Sequence, residues 1–139
     1  TMLQFMRLGS IADFALDSFP ISGGVTTFHS LWMGLPVLAI RPKQAISIRS
    51  YSANTLEHLG LHECIVDNPT ELIERASKLI TEQTIIDNLR SKTRERLLKS
   101  PFMDHQSRVR ELEKCFSEMW RRYVCGEPIQ SFNSQTLPN

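Results

Sequence analysis

The chain has too few cysteines, in too irregular a spacing, for a disulfide framework or a zinc centre. Cys64, Cys115 and Cys125 are odd in number and show no C-x-x-C pattern, so reduced thiols and a cytoplasmic setting are expected. An excess of one charge is also missing. Sixteen basic and fifteen acidic residues leave a formal net charge of +1, too little to draw a chain of phosphates along the surface. Non-specific nucleic-acid binding is thereby disfavoured. No apolar run approaches the length of a bilayer span, and the first residues show no basic, apolar, small-residue leader pattern. Neither a membrane contact nor a targeting segment is expected. Two common phosphate signatures are absent as well, since no Gly-Lys-Ser/Thr and no G-x-G-x-x-G occurs. His58, His62 and His105 lack metal-ligand spacing and are expected at the surface, so no metal is implied.

What remains is an ordinary globular composition, 41% hydrophobic and 22% charged over 139 residues, enough for one sizeable core but short for a two-lobed enzyme. Charge divides the chain. Residues 1–70 hold four Lys/Arg and five Asp/Glu, whereas residues 71–139 hold twelve and ten, so the first half is built for burial and the second for water. In the first half Phe14 to Leu16, Pro36 to Ile40 and Cys64 to Val66 read as short strands. Between them, Thr26 to Met33 reads as a helix with Phe28, Leu31 and Trp32 on one face, stopped by Gly34. Ile46 to Leu59 reads as another, with Ala53, Leu56 and Leu59 or Leu61 inward, stopped by Gly60. Strand and helix in alternation predict an α/β fold, a Rossmann-like doubly wound parallel sheet. Its first strand is expected at an exposed edge, where a second copy could pair.

The second half predicts helices throughout. Asn68 caps, Pro69 takes the first helical position and Glu71 reaches back, with Leu72, Ile73, Ala76, Leu79 and Ile80 as the inward stripe. A further helix spans about Ile85 to Leu98. The last runs from Asp104 to Cys125, its stripe of Val109, Leu112, Phe116, Met119 and Tyr123 expected in the core, with Trp32, Trp120 and Tyr123 as packing anchors. The Lys and Arg residues of these two helices are expected on a solvated face. The domain is taken as residues 1–127, and residues 128–139 as a mobile tail.

Chemistry concentrates between Asp17 and Thr27. Two glycines after a buried strand, followed by hydroxyl residues opening a helix, leave backbone N–H groups bare at the positive end of a helix dipole. Gly23 and Gly24 admit close approach of a ligand, and Thr26 and Thr27 carry hydroxyls toward it. The same residues also suit an ordinary helix cap. Arg49 fits either a diphosphate or an ion pair with Asp17, and Asp17 itself reads as a turn former rather than an orienter of the loop.

The wording of three segments resembles the O-linked N-acetylglucosamine transferase and SPINDLY family of glycosyltransferases: Asp13-Phe14-Ala15-Leu16-Asp17-Ser18-Phe19-Pro20, Gly23-Gly24-Val25-Thr26-Thr27, and Ser30-Leu31-Trp32-Met33-Gly34-Leu35-Pro36-Val37. The similarity extends through Arg49, Leu59-Gly60-Leu61, Leu89-Arg90, Ser100-Pro101 and Met119-Trp120. It implies the C-terminal part of the donor-binding lobe of a GT-B glycosyltransferase, an inverting enzyme that needs no metal or other cofactor. Such an enzyme moves a sugar, here N-acetylglucosamine from UDP-N-acetylglucosamine, to Ser or Thr hydroxyls of a protein acceptor. By the same resemblance Gly23, Gly24, Thr26, Thr27 and Arg49 line the donor diphosphate. His29 stands where the family has an aspartate on the ribose, and Val25 where relatives carry a hydroxyl. Arg41-Pro42-Lys43 replaces a glycine after the second strand. The catalytic groups and the acceptor lobe fall outside these residues. Three readings stay open: this donor and acceptor, another donor such as UDP-glucose or GDP-fucose, and a degenerate lobe that binds nucleotide or protein without catalysis. His29 is likewise either a ribose ligand or a half-buried packing histidine.

Overall fold

A computed structural model describes residues 1–41 and 49–137. They form two compact units, Thr1–Ser100 and Pro101–Asn139. The first unit begins with helix α1 (Met2–Leu8), then strand β1 (Ala15–Leu16), α2 (Val25–Trp32), β2 (Val37–Ile40), α3 (Tyr51–His58), β3 (Ile65–Val66), α4 (Pro69–Thr81) and α5 (Gln83–Leu98). Helix α1 is absent from the sequence reading. Its signal is a capping box in which Thr1 accepts from the Gln4 N–H while the Gln4 side chain reaches back to the Thr1 amino group.

The three strands pair in the order β1-β2-β3, all parallel, with Ala15 opposite Val37 and Ala39 opposite Ile65. This is the predicted α/β sheet, and β1 lies at its edge as expected. Strand β2 is a continuous apolar run because both its faces are covered: every residue from Val37 to Ile40 is buried, with α2, α3 and α4 packed on it. Gly34 and Gly60 end α2 and α3 at φ of 74° and 67°, a backbone region that a side chain would strain. The predicted helix over 46–59 is observed as Tyr51–His58, and its residues 46–48 lie outside the described residues, as do Pro42 and Lys43. Cys64 belongs to a 3-10 turn ahead of β3, and burial pushes its thiol up to about 12.

Helix α4 starts on the predicted cap. Asn68 accepts from the Glu71 N–H at 3.0 Å, and the Glu71 carboxylate returns to the Asp67 N–H, one residue before the cap, at 3.0 Å. Its inward stripe is narrower than predicted. Leu79 is buried and Leu72 and Ala76 are half-buried, but Ile73 and Ile80 are 67% and 71% exposed. Successive helical residues diverge by about 100°, so one member of each adjacent apolar pair must leave the seam.

The α5 cations do more than face water, which corrects the sequence reading. Arg90 donates to the carbonyls of Gly9, Ala12 and Asp13, and Arg96 to those of Leu59 and Gly60, so two guanidinium groups hold the chain leaving α1 and α3. Arg94 lies 5.5 Å from the centre of the half-covered Trp32 ring.

In the second unit α6 (His105–Val124) starts at Asp104, whose carboxylate accepts from the Ser107 N–H. Arg122 stacks over Phe132 at 4.7 Å and binds Glu118, which Arg121 and Arg122 together hold down to about 2. The α6 stripe predicted as core is not buried. Val109, Leu112, Phe116, Met119, Trp120 and Tyr123 are all exposed, so Trp120 and Tyr123 pack against one another rather than into a core. Amphipathicity marks a face that can be buried, but does not itself say what would bury it.

Leu31→Ala, at a side chain with no exposed surface, is expected to cost about 2 to 5 kcal/mol in urea unfolding. Phe116→Ala, in the exposed stripe, is expected to stay within about 0.5 kcal/mol of the wild type in the same measurement.

Candidate functional site: a locked loop at a helix N-terminus

The ladder of β1 ends where the Asp17 N–H donates to the Leu38 carbonyl at 2.8 Å, and the chain then turns outward. The Asp17 carboxylate organises the loop beyond the strand. One oxygen accepts from the Gly23 N–H at 2.8 Å and the other from the Ser22 hydroxyl at 2.7 Å. The turn-former reading of Asp17 is thereby corrected: the carboxylate reaches across six residues to fix the glycine loop. Two anionic acceptors on one side chain do what a neutral turn residue cannot.

From this loop α2 departs without a side-chain cap, because Gly24 stands at the cap position. The first intrahelical bond runs from the Phe28 N–H to the Gly24 carbonyl, so the N–H groups of Val25, Thr26 and Thr27 have no carbonyl within their own helix. They point from the positive end of the helix dipole, which suits an anion. Gly23 and Gly24 play different parts. A Cβ on Gly23 would lie 2.7 Å from the Thr27 hydroxyl and 2.9 Å from an Asp17 carboxylate oxygen, whereas one on Gly24 would meet nothing within 4 Å.

The two threonines also divide. Thr26 is exposed at the open end of α2. Thr27 is 4% exposed, and its hydroxyl lies 2.9 Å from that of Ser52 in the first turn of α3. Ser52 donates its single hydroxyl hydrogen to the Gly23 carbonyl at 3.1 Å, so Thr27 is the donor in the pair, and its proton is taken up internally. Ser22 completes the circuit by accepting from the Ser52 N–H at 2.8 Å. Ser22 and Ser52 were not singled out from the sequence. Their signal is only that of short polar residues at helix starts, which caps and turns share.

Arg49 is exposed, three residues before Ser52 and next to the α3 cap Ser50. Among the described residues it makes no ion pair with Asp17, whose oxygens accept from Gly23 and Ser22. His29, one turn along α2 from Thr26, is half-buried, its ring edge-on to Phe5 of α1 at 6.0 Å. The two rings border a cavity of about 180 Å³ that Gly9, Phe14, Met33 and Leu35 also line. The loop at the start of α2 and the first turn of α3 are therefore brought together by Ser52, while the Thr27 side chain turns inward and His29 faces α1. His58, His62 and His105 are exposed.

Comparison with known proteins places these features in context. Residues 3–112 match the model of glycosyl transferase family 41. The chain is 34% identical over 122 residues to the "Probable UDP-N-acetylglucosamine--peptide N-acetylglucosaminyltransferase SPINDLY" of Solanum lycopersicum, covering 88% of this chain and 13% of that protein. It is 27% identical over 133 residues to the UDP-N-acetylglucosamine--peptide N-acetylglucosaminyltransferase of Caenorhabditis elegans, covering 96% of this chain and 11% of that protein. A solved structure of a mutant O-GlcNAc transferase from Thermobaculum terrenum superposes with a TM-score of 0.73 at 30% identity, covering 85% of this chain and 22% of that one. The chain thus spans about an eighth of the length of the curated relatives it matches.

The asymmetry of the two glycines is testable. Gly23→Ala is expected to lower unfolding stability by about 1 to 3 kcal/mol, since Thr27 and Asp17 must move aside. Gly24→Ala, in open space, is expected to change it by less than about 0.5 kcal/mol when both are measured by urea unfolding.

Proposed function

Since the chain belongs to glycosyl transferase family 41, we propose that it forms the C-terminal part of the donor-binding lobe of a GT-B glycosyltransferase and supplies part of the donor diphosphate seat. The whole enzyme, in this reading, transfers N-acetylglucosamine from UDP-N-acetylglucosamine to Ser or Thr hydroxyls of a protein acceptor with inversion. The open first turn of α2 is the observation that carries it. Its three N–H groups are unclaimed within the helix, and the loop before them is locked by Asp17, so the donors stand ready before a ligand arrives. Gly23, Gly24, Thr26 and Arg49 line this seat, and the backbone N–H of Thr27 joins them. Charge on the leaving diphosphate is met there by oriented amides and a guanidinium, without a metal ion.

His29 reaches the ribose in this reading only by turning from Phe5. Acceptor binding and proton transfer fall to residues outside the chain. No described helix is long and apolar enough to cross a membrane. The free cysteines support a reducing, cytoplasmic setting, and the exposed edge strand β1 offers a second copy a place to pair. A second reading, a lobe that holds a nucleotide without catalysis, draws support from the contact between His29 and Phe5 and from exposed Val25, which has no hydroxyl to donate.

Calorimetric titration with UDP, UDP-N-acetylglucosamine and GDP separates these readings. Binding of the uridine nucleotides over GDP is expected, and binding of none of them would remove the donor site. Thr26→Ala is expected to cost about 1 to 2 kcal/mol, a roughly five- to thirty-fold loss of UDP affinity. His29→Asp is expected to tighten binding by restoring a carboxylate for the ribose hydroxyls. With donor sugar and a peptide acceptor, the 139-residue chain is expected to give no turnover.

A further inference from the structure

Ser52 has no exposed surface and sits in the first turn of α3, yet its polar groups serve another element. In the first turn of a helix a serine has no preceding turn to offer its hydroxyl a carbonyl, and its N–H has no partner within the helix. The Ser52 hydroxyl instead donates to the Gly23 carbonyl, accepts from Thr27, and leaves its backbone N–H to Ser22. With Asp17 binding both Ser22 and Gly23, the bonds close into a ring that joins the end of β1, the glycine loop, α2 and α3.

We infer that Ser52, acting through Thr27 and the glycine loop, is a positioning residue for the diphosphate seat, an inference that rests on the donor-site reading above. Two sets of donors must address one diphosphate: the amides opening α2, and Arg49 just before α3. Nothing in either helix alone sets their separation. The Ser52 ring sets it, because it pins the first turn of α3 to the loop that launches α2. Each hydrogen in the ring is used once, and removing one hydroxyl leaves a buried partner unpaired, so the loop shifts rather than merely losing a contact. Thr27 in consequence serves the seat through Ser52 and not by its hydroxyl touching phosphate. Amides that must reorganise on binding return less affinity than amides already held in place.

The test is a double-mutant cycle with Thr27→Val and Ser52→Ala in the full chain. UDP affinity is measured by calorimetry on fully folded protein, and amide hydrogen exchange is followed from Ser22 to Thr26. Each single substitution is expected to weaken UDP binding about fivefold and the pair together no more than the worse single, because both break one ring. Thr27→Ser, which keeps the hydroxyl, is expected to retain wild-type affinity. The inference is overturned if Thr27→Val weakens binding and Ser52→Ala does not, since Thr27 would then be a direct ligand. Additive losses overturn it too, as does a fall in stability with affinity unchanged. Should the wild type fail to bind UDP, the donor-site reading falls by its own test, and exchange decides the ring: Gly23 to Thr26 amides about fivefold faster in Ser52→Ala uphold it, and unchanged rates end it.

Discussion

Strand β2 must be dry on both faces, and most of the first unit derives from that requirement. A parallel strand cannot be joined to its neighbour by a tight turn, so each connection has to travel back along the sheet, and the helices that make the journey are also what cover it. Val37 to Ile40 are accordingly buried without exception under α2, α3 and α4. The same topology has an electrostatic result. Helices that each come after a parallel strand all begin beyond the carboxyl ends of the strands, so the positive ends of α2 and α3 are gathered at one edge of the sheet. The proposed anion seat is, on this view, a by-product of keeping β2 out of water, refined by local chemistry.

That refinement is made of short polar side chains in a buried setting. Ser52 and Thr27 are fully or almost fully covered, and a hydroxyl there is favourable only when its hydrogen and lone pairs are matched. The ring through Asp17, Ser22 and Gly23 matches them, which converts a liability into rigidity. Gly23 is needed because the carboxylate and the Thr27 hydroxyl approach where a Cβ would stand. The α5 arginines work at the other helix ends. Arg90 and Arg96 satisfy carbonyls that come after α1 and α3, complementing the negative ends of those helices.

The second unit shows how far patterning can be read. The spacing of Val109, Leu112, Phe116, Met119 and Tyr123 states that one face of α6 is apolar, and the helix forms where that spacing indicates. It does not state what the face meets. In Pro101–Asn139 these stripe residues remain exposed, beside polar contacts of Glu118 with Arg121 and Arg122 and of Arg122 with the Phe132 ring.

The sequence by itself determined the elements whose signals are local: the three parallel strands, the glycine stops at Gly34 and Gly60, the Asn68 cap, and the loop of glycines and threonines that opens α2. The family resemblance was legible in the same segments, because backbone conformation at glycines and caps is set by neighbours a few residues away. Only the tertiary structure decided which polar groups in that loop are free. Thr26 and Thr27 are adjacent and identical in type, yet one faces solvent and the other spends its proton on Ser52, twenty-five residues away. Asp17 looked like a turn former until Gly23 and Ser22 came within reach, and His29 stood open between ribose ligand and packing histidine until Phe5 of an unpredicted helix met it. A residue type fixes what a side chain can donate or accept, but the partner that uses up that capacity is brought by the fold from a distance that no local pattern encodes.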